Sequence, residues 1–149
     1  MTPDPATRAL TRAEVESFLH QYWNNLASKK VQAHEDSFAP NSFIFGSSSK
    51  RVEPARLALL RRQREYMNES TRITAQMTNL QMEFIGTDAA VAAYNLQFEV
   101  DKRIVTDAVG QKTAEEHLLN GRVTHVIIRD TDGSLKVLHE HISRPTAER

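Results

Sequence analysis

The chemistry a first reading offers sits near the end of the chain, in His139-Glu140-His141. These residues close a β-branched run, and side chains two apart on a strand project to the same face, so both imidazoles look one way. Imidazole needs only a small environmental shift to titrate near neutrality, which makes His139 and His141 candidates for general acid and general base. The alternative is that they hydrogen-bond in a polar interior or at a subunit contact. Arg122 adds a permanent cation able to hold a carboxylate bidentately, either a ligand's or an internal one. Glu83, Glu99, Glu115, Glu116 and Glu140 are the candidates for an internal partner, and an acid beside a desolvated histidine could itself act as a base.

The register of the last hairpin decides which of these groups meet. A three-residue loop at Thr131 to Gly133 sets His125 opposite His139 and allows a three-histidine metal site. A two-residue loop at Asp132-Gly133 sets Val126 opposite His139 and Thr124 opposite His141, so that Arg122, Thr124, His139, His141 and Ser143 share a face. The second register is favoured, and with it a polar cluster that needs no metal or cofactor. Because a polar cluster on the sheet's dry face would need partners, the cluster is expected to point into a cavity, with Trp23 and Phe45 on its apolar wall and Tyr66 and Tyr94 as further lining or plain core.

The elements that must position these residues follow from periodicity. Thr11 and Glu14 form a capping box, and Val15, Phe18, Leu19, Tyr22, Trp23 and Leu26 recur at helical spacing to about Ser28. A shorter helix is expected over 31–38, a brief strand over 42–45, and a small-residue loop at 46–49 that could act as a lid. Pro54 opens a third helix to about Asn68, with Leu57, Leu60, Met67 and Tyr66 inward. The period then changes to two. Residues 73–85, 89–102, 113–129 and 135–143 read as long antiparallel strands, with turns at Gly86-Thr87-Asp88, around 107–110 and at Asp132-Gly133. The second long strand alternates Tyr94, Leu96, Phe98 and Val100 with Asn95, Gln97, Glu99 and Asp101, one dry face against one wet. The fold class is therefore α+β: three N-terminal helices packed on a strongly curved antiparallel sheet.

With 149 residues the chain is one domain's length. Residues 1–10 read as a flexible tail, 11–143 as the domain and 144–149 as a second tail. Nineteen Lys plus Arg balance nineteen Asp plus Glu, which speaks against nucleic acid or a membrane surface as partner. No apolar run is long enough to span a bilayer and no signal-like segment opens the chain. Cysteine is absent, so disulfides and thiolate metal sites are excluded, and a cytoplasmic location is expected. Lys50, Arg51, Arg56, Arg61, Arg62 and Arg64 form a basic stretch that reads as a solvated helix face or as a steering surface for anions.

Gly121-Arg122-Val123-Thr124-His125-Val126, then Asp132-Gly133, then Val137-Leu138-His139-Glu140-His141-Ile142-Ser143 resemble the closing hairpin of SnoaL-like domains and of the calmodulin-dependent kinase association domain. The resemblance extends over about residues 11–143 to the nuclear-transport-factor-two-like, or ketosteroid-isomerase-like, superfamily. It implies a cone-shaped half-barrel with a central pocket between curved sheet and helices, which serves isomerases, dehydratases and cyclases as well as non-catalytic and oligomerisation modules. It also implies a donor tyrosine on the first helix, which Tyr22 matches. The pocket carboxylate of the isomerases has no counterpart in Phe43-Ile44-Phe45-Gly46-Ser47-Ser48. The implied function is the binding of a small, largely apolar molecule, with histidine-centred isomerase, dehydratase or cyclase chemistry as one form. A non-catalytic ligand-binding or oligomerisation module is the other. A homodimer is expected, since a broad sheet with a partly apolar outer face tends to be covered.

Overall fold

The computed structural model describes residues 8–46, 51–68, 70–106, 108–110 and 112–144. The first helix, α1 (Arg12–Ala27), is capped by Thr11, whose hydroxyl accepts the Glu14 backbone N–H at 3.2 Å. It buries Val15, Leu19, Tyr22, Trp23 and Leu26, the stripe its spacing implies. Its far end closes through Lys29, which takes a left-handed φ of 59° so that Lys29 and Lys30 can donate back to Leu26 and Asn25. The chain before α1 is anchored from Arg8 onward: Leu10 is buried and donates to the Thr87 carbonyl at 2.9 Å. The rest of the expected tails, residues 1–7 and 145–149, lies outside the described residues, as do Ser47–Ser49 of the lid-like loop.

A short helix, α2 (Val31–Glu35), ends before the expected Phe38, because Phe38 already belongs to a strand, β1 (Phe38–Phe45). A two-residue strand, β2 (Glu53–Pro54), leads into α3 (Ala55–Arg62), which passes into one π-helical turn, Gln63–Met67. The inward face of α3 is not the expected one. Leu57 and Leu60 are 47% and 53% exposed, and the helix packs through Ala55, Ala58 and Leu59 instead. Small residues let this helix approach closely, and the same face one turn on carries Arg62. The wider π turn, closed by Asn68 N–H to the Gln63 carbonyl at 2.9 Å, then carries Met67 into the core.

Four long strands complete the chain: β3 (Ser70–Ile85), β4 (Ala89–Thr106), β5 (Lys112–Arg129) and β6 (Leu135–Ser143). They pair antiparallel in sequence, as expected, and β4 buries Tyr94, Leu96, Phe98 and Val100 on one face. The sheet as a whole is mixed, which corrects the expectation of an all-antiparallel one. Its order is β2-β1-β6-β5-β4-β3, with β1 running parallel to β6. The intervening helices and strands form the long crossover that parallel pairing requires. The helical side of the sheet carries one apolar cluster that includes α1, Leu59, Met67 and the inner residues of β4, β5 and β6.

The last hairpin combines the two readings of its register. Asp130 N–H bonds the Ser134 carbonyl at 2.8 Å, so its tip is the three-residue loop Thr131–Gly133, with Gly133 at φ 88°. That loop alone would set His125 opposite His139. The ladder then slips between Val126 and Ile127: Ile127 pairs with Val137, but Val126 pairs with His139, leaving Leu138 as an extra residue on β6. Beyond this bulge the pairs are Thr124 with His141, His125 with Glu140 and Arg122 with Ser143, the favoured register. A bulge exchanges the two faces of a strand, because side-chain direction has period two. Val137 therefore points inward, and after the bulge so do Glu140 and Ile142, while His139 and His141 point out.

Candidate functional site

Glu140 is fully buried, and everything around it is arranged as donors. His125, its cross-strand partner on β5, donates Nε2–H to Oε1 at 2.8 Å, and Tyr22 from α1 donates its hydroxyl to the same oxygen. Arg62 from α3 gives Nη2–H to Oε2 at 2.6 Å. Its Nη1 reaches Tyr22 Oη and His34 Nε2, each at 3.0 Å. On the other side of the imidazole, Trp23 donates Nε1–H to Tyr94 Oη at 2.7 Å, and Tyr94 in turn faces His125 Nδ1 at 3.0 Å. Trp23 can only donate, so Tyr94 must donate onward to Nδ1, and the ring proton belongs on Nε2 toward Glu140. The whole chain runs in one direction and ends on a carboxylate.

The electrostatics follow from burial and pairing. Burial by itself would raise the Glu140 carboxyl, but the Arg62 guanidinium and the His125 and Tyr22 hydrogen bonds outweigh it and hold the group well below the usual carboxylate range. Burial, with the Glu140 charge beside it, pushes the Tyr22 hydroxyl well above its ordinary value, and burial does the same to Tyr94. His34 is driven down to about 3, first by burial and then by the adjacent Arg62. It stays neutral, accepting from Arg62 through Nε2.

Arg62 and Trp23 link this network to a cavity of about 70 Å³ that is open on one side. Its walls include Leu26, Ile44, Ala58, Tyr66, Leu96 and Phe98. Its charged lining comes from Glu53, Arg61 and Arg62. Arg61 is tied to both oxygens of Glu53, through Nη2 at 2.6 and 2.7 Å. Three of the Arg62 N–H protons go to Tyr22, His34 and Glu140. Nε–H and the second Nη2 proton have no partner among the described residues.

The residues singled out in the sequence divide between the two faces. Tyr22, Trp23 and Tyr94 are buried in the network; Trp23 also lines the cavity, whereas Tyr22 and Tyr94 do not. His139, His141, Arg122 and Phe45 do not join them. His139 lies against Phe43 on the outer face, with ring centroids 4.5 Å apart and Nδ1 3.0 Å from the Phe43 carbonyl. His141 packs against Phe45 at 5.1 Å, and exposed Arg122 donates Nε–H to Ser143 at 3.2 Å. The shared face was the expected one, but the bulge at Leu138 turns it away from the cavity. Ile44, not Phe45, is the β1 residue on the cavity wall.

Sequence reasoning missed His34, ranked Glu140 equally with four other acids, and treated Arg62 as one of a solvated run. A usable signal for Arg62 existed, since it falls three and four residues after Leu59 and Ala58 on the helix face that packs. The carboxylate absent from Phe43-Ile44-Phe45 is supplied one strand over, where Glu140 pairs with Ile44 across the β1–β6 ladder. Among the described residues, no three His or carboxylate side chains converge as a metal site. No helix among them is long and apolar enough to cross a membrane.

Among curated protein sequences none matches this one. Solved structures do. A provisionally assigned dehydratase of the nuclear-transport-factor-two-like family from Streptomyces avermitilis aligns with a TM-score of 0.74 at 13% identity, covering 91% of this chain and 97% of that one. A provisionally assigned scytalone dehydratase from Novosphingobium aromaticivorans aligns at 0.73 and 12% identity, covering 90% and 83%. A provisionally assigned calcium/calmodulin dependent protein kinase II association domain from Xanthomonas campestris aligns at 0.66 and 19% identity, covering 94% and 96%. At such identities the likeness establishes the fold, the cone-shaped α+β architecture of that superfamily. Residues 15–147 match the SnoaL-like domain, and the chain belongs to that family.

Proposed function

We propose that the cavity beside Arg62 binds a small, largely apolar molecule and holds it by one polar end. The observation that carries this reading is the cavity's construction. Apolar side chains from α1, β1, α3, β4, β5 and β6 surround it, and the Arg62 guanidinium on its wall is fixed by a buried carboxylate while two of its N–H groups take no partner among the described residues. Few, well-placed donors in an apolar recess are the usual make-up of a small-molecule site. Trp23 is the only tryptophan in the chain and lies on the wall, so its fluorescence reports occupancy directly. Small aromatic ketones are expected to quench it saturably, and Ala58→Leu, which adds bulk at the wall, is expected to abolish that response without unfolding the protein. Unchanged quenching in the variant would count against the cavity as the site.

A catalytic form of this reading is supported by the His125–Glu140 pair directly behind the wall, together with the dehydratase relatives. In it, Arg62, held in place by Glu140, would polarise a carbonyl or leaving oxygen. No cofactor is required for such a step. Turnover of an enolisable ketone that falls in Arg62→Lys further than ligand quenching does would support catalysis; binding without turnover supports the non-catalytic form. We further propose a homodimer formed through the outer sheet face. Phe43, 41% exposed beside His139, supports this, as does the association-domain relative. Sedimentation is expected to report a dimer that Phe43→Asp dissociates.

A further inference from the structure

We infer that the cavity selects a neutral ligand, whose polar end is an uncharged acceptor oxygen such as a ketone, amide or hydroxyl, and rejects a carboxylate of the same shape. This deepens the reading above and rests on it.

The argument is one of charge and geometry. Arg62 is a natural carboxylate receptor, but its carboxylate is already present: Glu140 Oε2 sits 2.6 Å from Nη2 and is wholly buried. That glutamate is ionised by its own hydrogen bonds, because Arg62, Tyr22 and His125 all donate to its two oxygens. Arg61, the second cation on the wall, is satisfied in the same way by both oxygens of Glu53.

Among the described residues, the other titratable groups in contact with Arg62, His34 and Tyr22, carry no charge. His34 accepts from a guanidinium, so its Nε2 holds no proton. His125 gives its Nε2–H to Glu140 and turns Nδ1 to the Tyr94 hydroxyl, and it does not line the cavity. The two ion pairs cancel. A ligand carboxylate would be a third anion among two guanidinium groups, placed in an apolar recess without a countercharge of its own. A cationic ligand would face Arg62 directly. An uncharged oxygen meets neither penalty and can accept from the Arg62 Nε–H and the second Nη2 proton. Glu140 is thus a positioning and selectivity residue, standing where an anionic ligand's charge would have to be balanced.

Acetophenone and benzoate share a ring and differ in charge, and each can be titrated against Trp23 fluorescence at neutral pH. Wild type is expected to bind acetophenone more tightly than benzoate by about tenfold or more. Glu140→Gln, which frees the Arg62 charge, is expected to reverse that order by strengthening benzoate binding. Should this variant fail to fold, the wild-type comparison decides alone. Benzoate binding as tightly as acetophenone in wild type would overturn the inference while leaving the pocket reading intact. Failure of both probes to quench would overturn the pocket reading, and the inference with it. Selectivity in wild type that survives Glu140→Gln would overturn the role given to Glu140.

Discussion

The two faces of one hairpin make an instructive pair. On the outer face His139, His141, Arg122, Thr124 and Ser143 sit together, half-buried or exposed, in register but in contact with water. On the inner face His125 and Glu140 are wholly buried and held by Tyr22, Tyr94 and Arg62. Both faces carry imidazoles and an arginine, and each inner residue is one position away from an outer one. The difference between them is solvent. In water a hydrogen bond or an ion pair contributes little, because the unpaired groups are solvated almost as well. Inside, a group that loses its partner has nothing to replace it, so each member of the network constrains the others.

The largest contrast is expected from deleting single partners. Glu140→Leu leaves Arg62 charged and unpaired, and should destabilise the protein by about 3 to 5 kcal/mol in urea unfolding. Converting Arg62 to Leu should do the same to Glu140. Combined, the two changes should cost much less than the sum of the singles, since neither charge is then orphaned. His139→Ala or His141→Ala should cost within about 0.5 kcal/mol, the range for surface changes. Comparable losses on both faces would erase the distinction.

Acid should separate the faces next. His34 is held to about 3 in the fold, against 6.5 for the free side chain. Between those values the unfolded chain binds a proton that the folded one does not, so stability falls as pH drops through this window and is recovered as pH rises. The slope from this one group approaches about 1.4 kcal/mol per pH unit. The depressed carboxyls of Glu140 and Glu14 act lower, because the stability they confer is complete above about 4.5 and is lost only as pH falls through their folded values. Urea midpoints between pH 4.5 and 6.5 therefore isolate His34, and His34→Gln should flatten the slope there.

Smaller effects test the supports. Tyr94→Phe leaves both the Trp23 N–H and His125 Nδ1 without a partner and should cost about 1 to 3 kcal/mol, with a shift in Trp23 emission. Lys29→Gly should stabilise by about 0.5 to 1 kcal/mol, because a left-handed residue at a helix end is strained in any side chain but glycine. Thermal or urea unfolding of each variant checks both.

Much of the fold is legible in the sequence because it depends on period and capping. The Thr11 cap, the α1 stripe and the β4 alternation state which residues must be buried, and burial builds the layers. Even the hairpin register could be argued from turn chemistry. What the sequence does not announce is the extra residue at Leu138, since Val137-Leu138-His139 reads as an ordinary strand and nothing local marks a bulge. That one residue decides whether histidines or Glu140 face the helices. Arg62 and His34 were hidden for a different reason: a polar residue on a packing face looks like a surface residue until its partner, 78 positions away for Arg62, is brought beside it.

The most direct test is a long-range proton–nitrogen correlation spectrum of the histidine rings, combined with solvent exchange. A buried N–H donating to a carboxylate exchanges slowly, and its nitrogen shift identifies the tautomer. The expected result is a protected Nε2–H on His125 that disappears in Glu140→Gln, with the ring protons of His139 and His141 exchanging rapidly. Protected ring protons on His139 and His141, with His125 open to solvent, would contradict the placement of the polar site on the inner face.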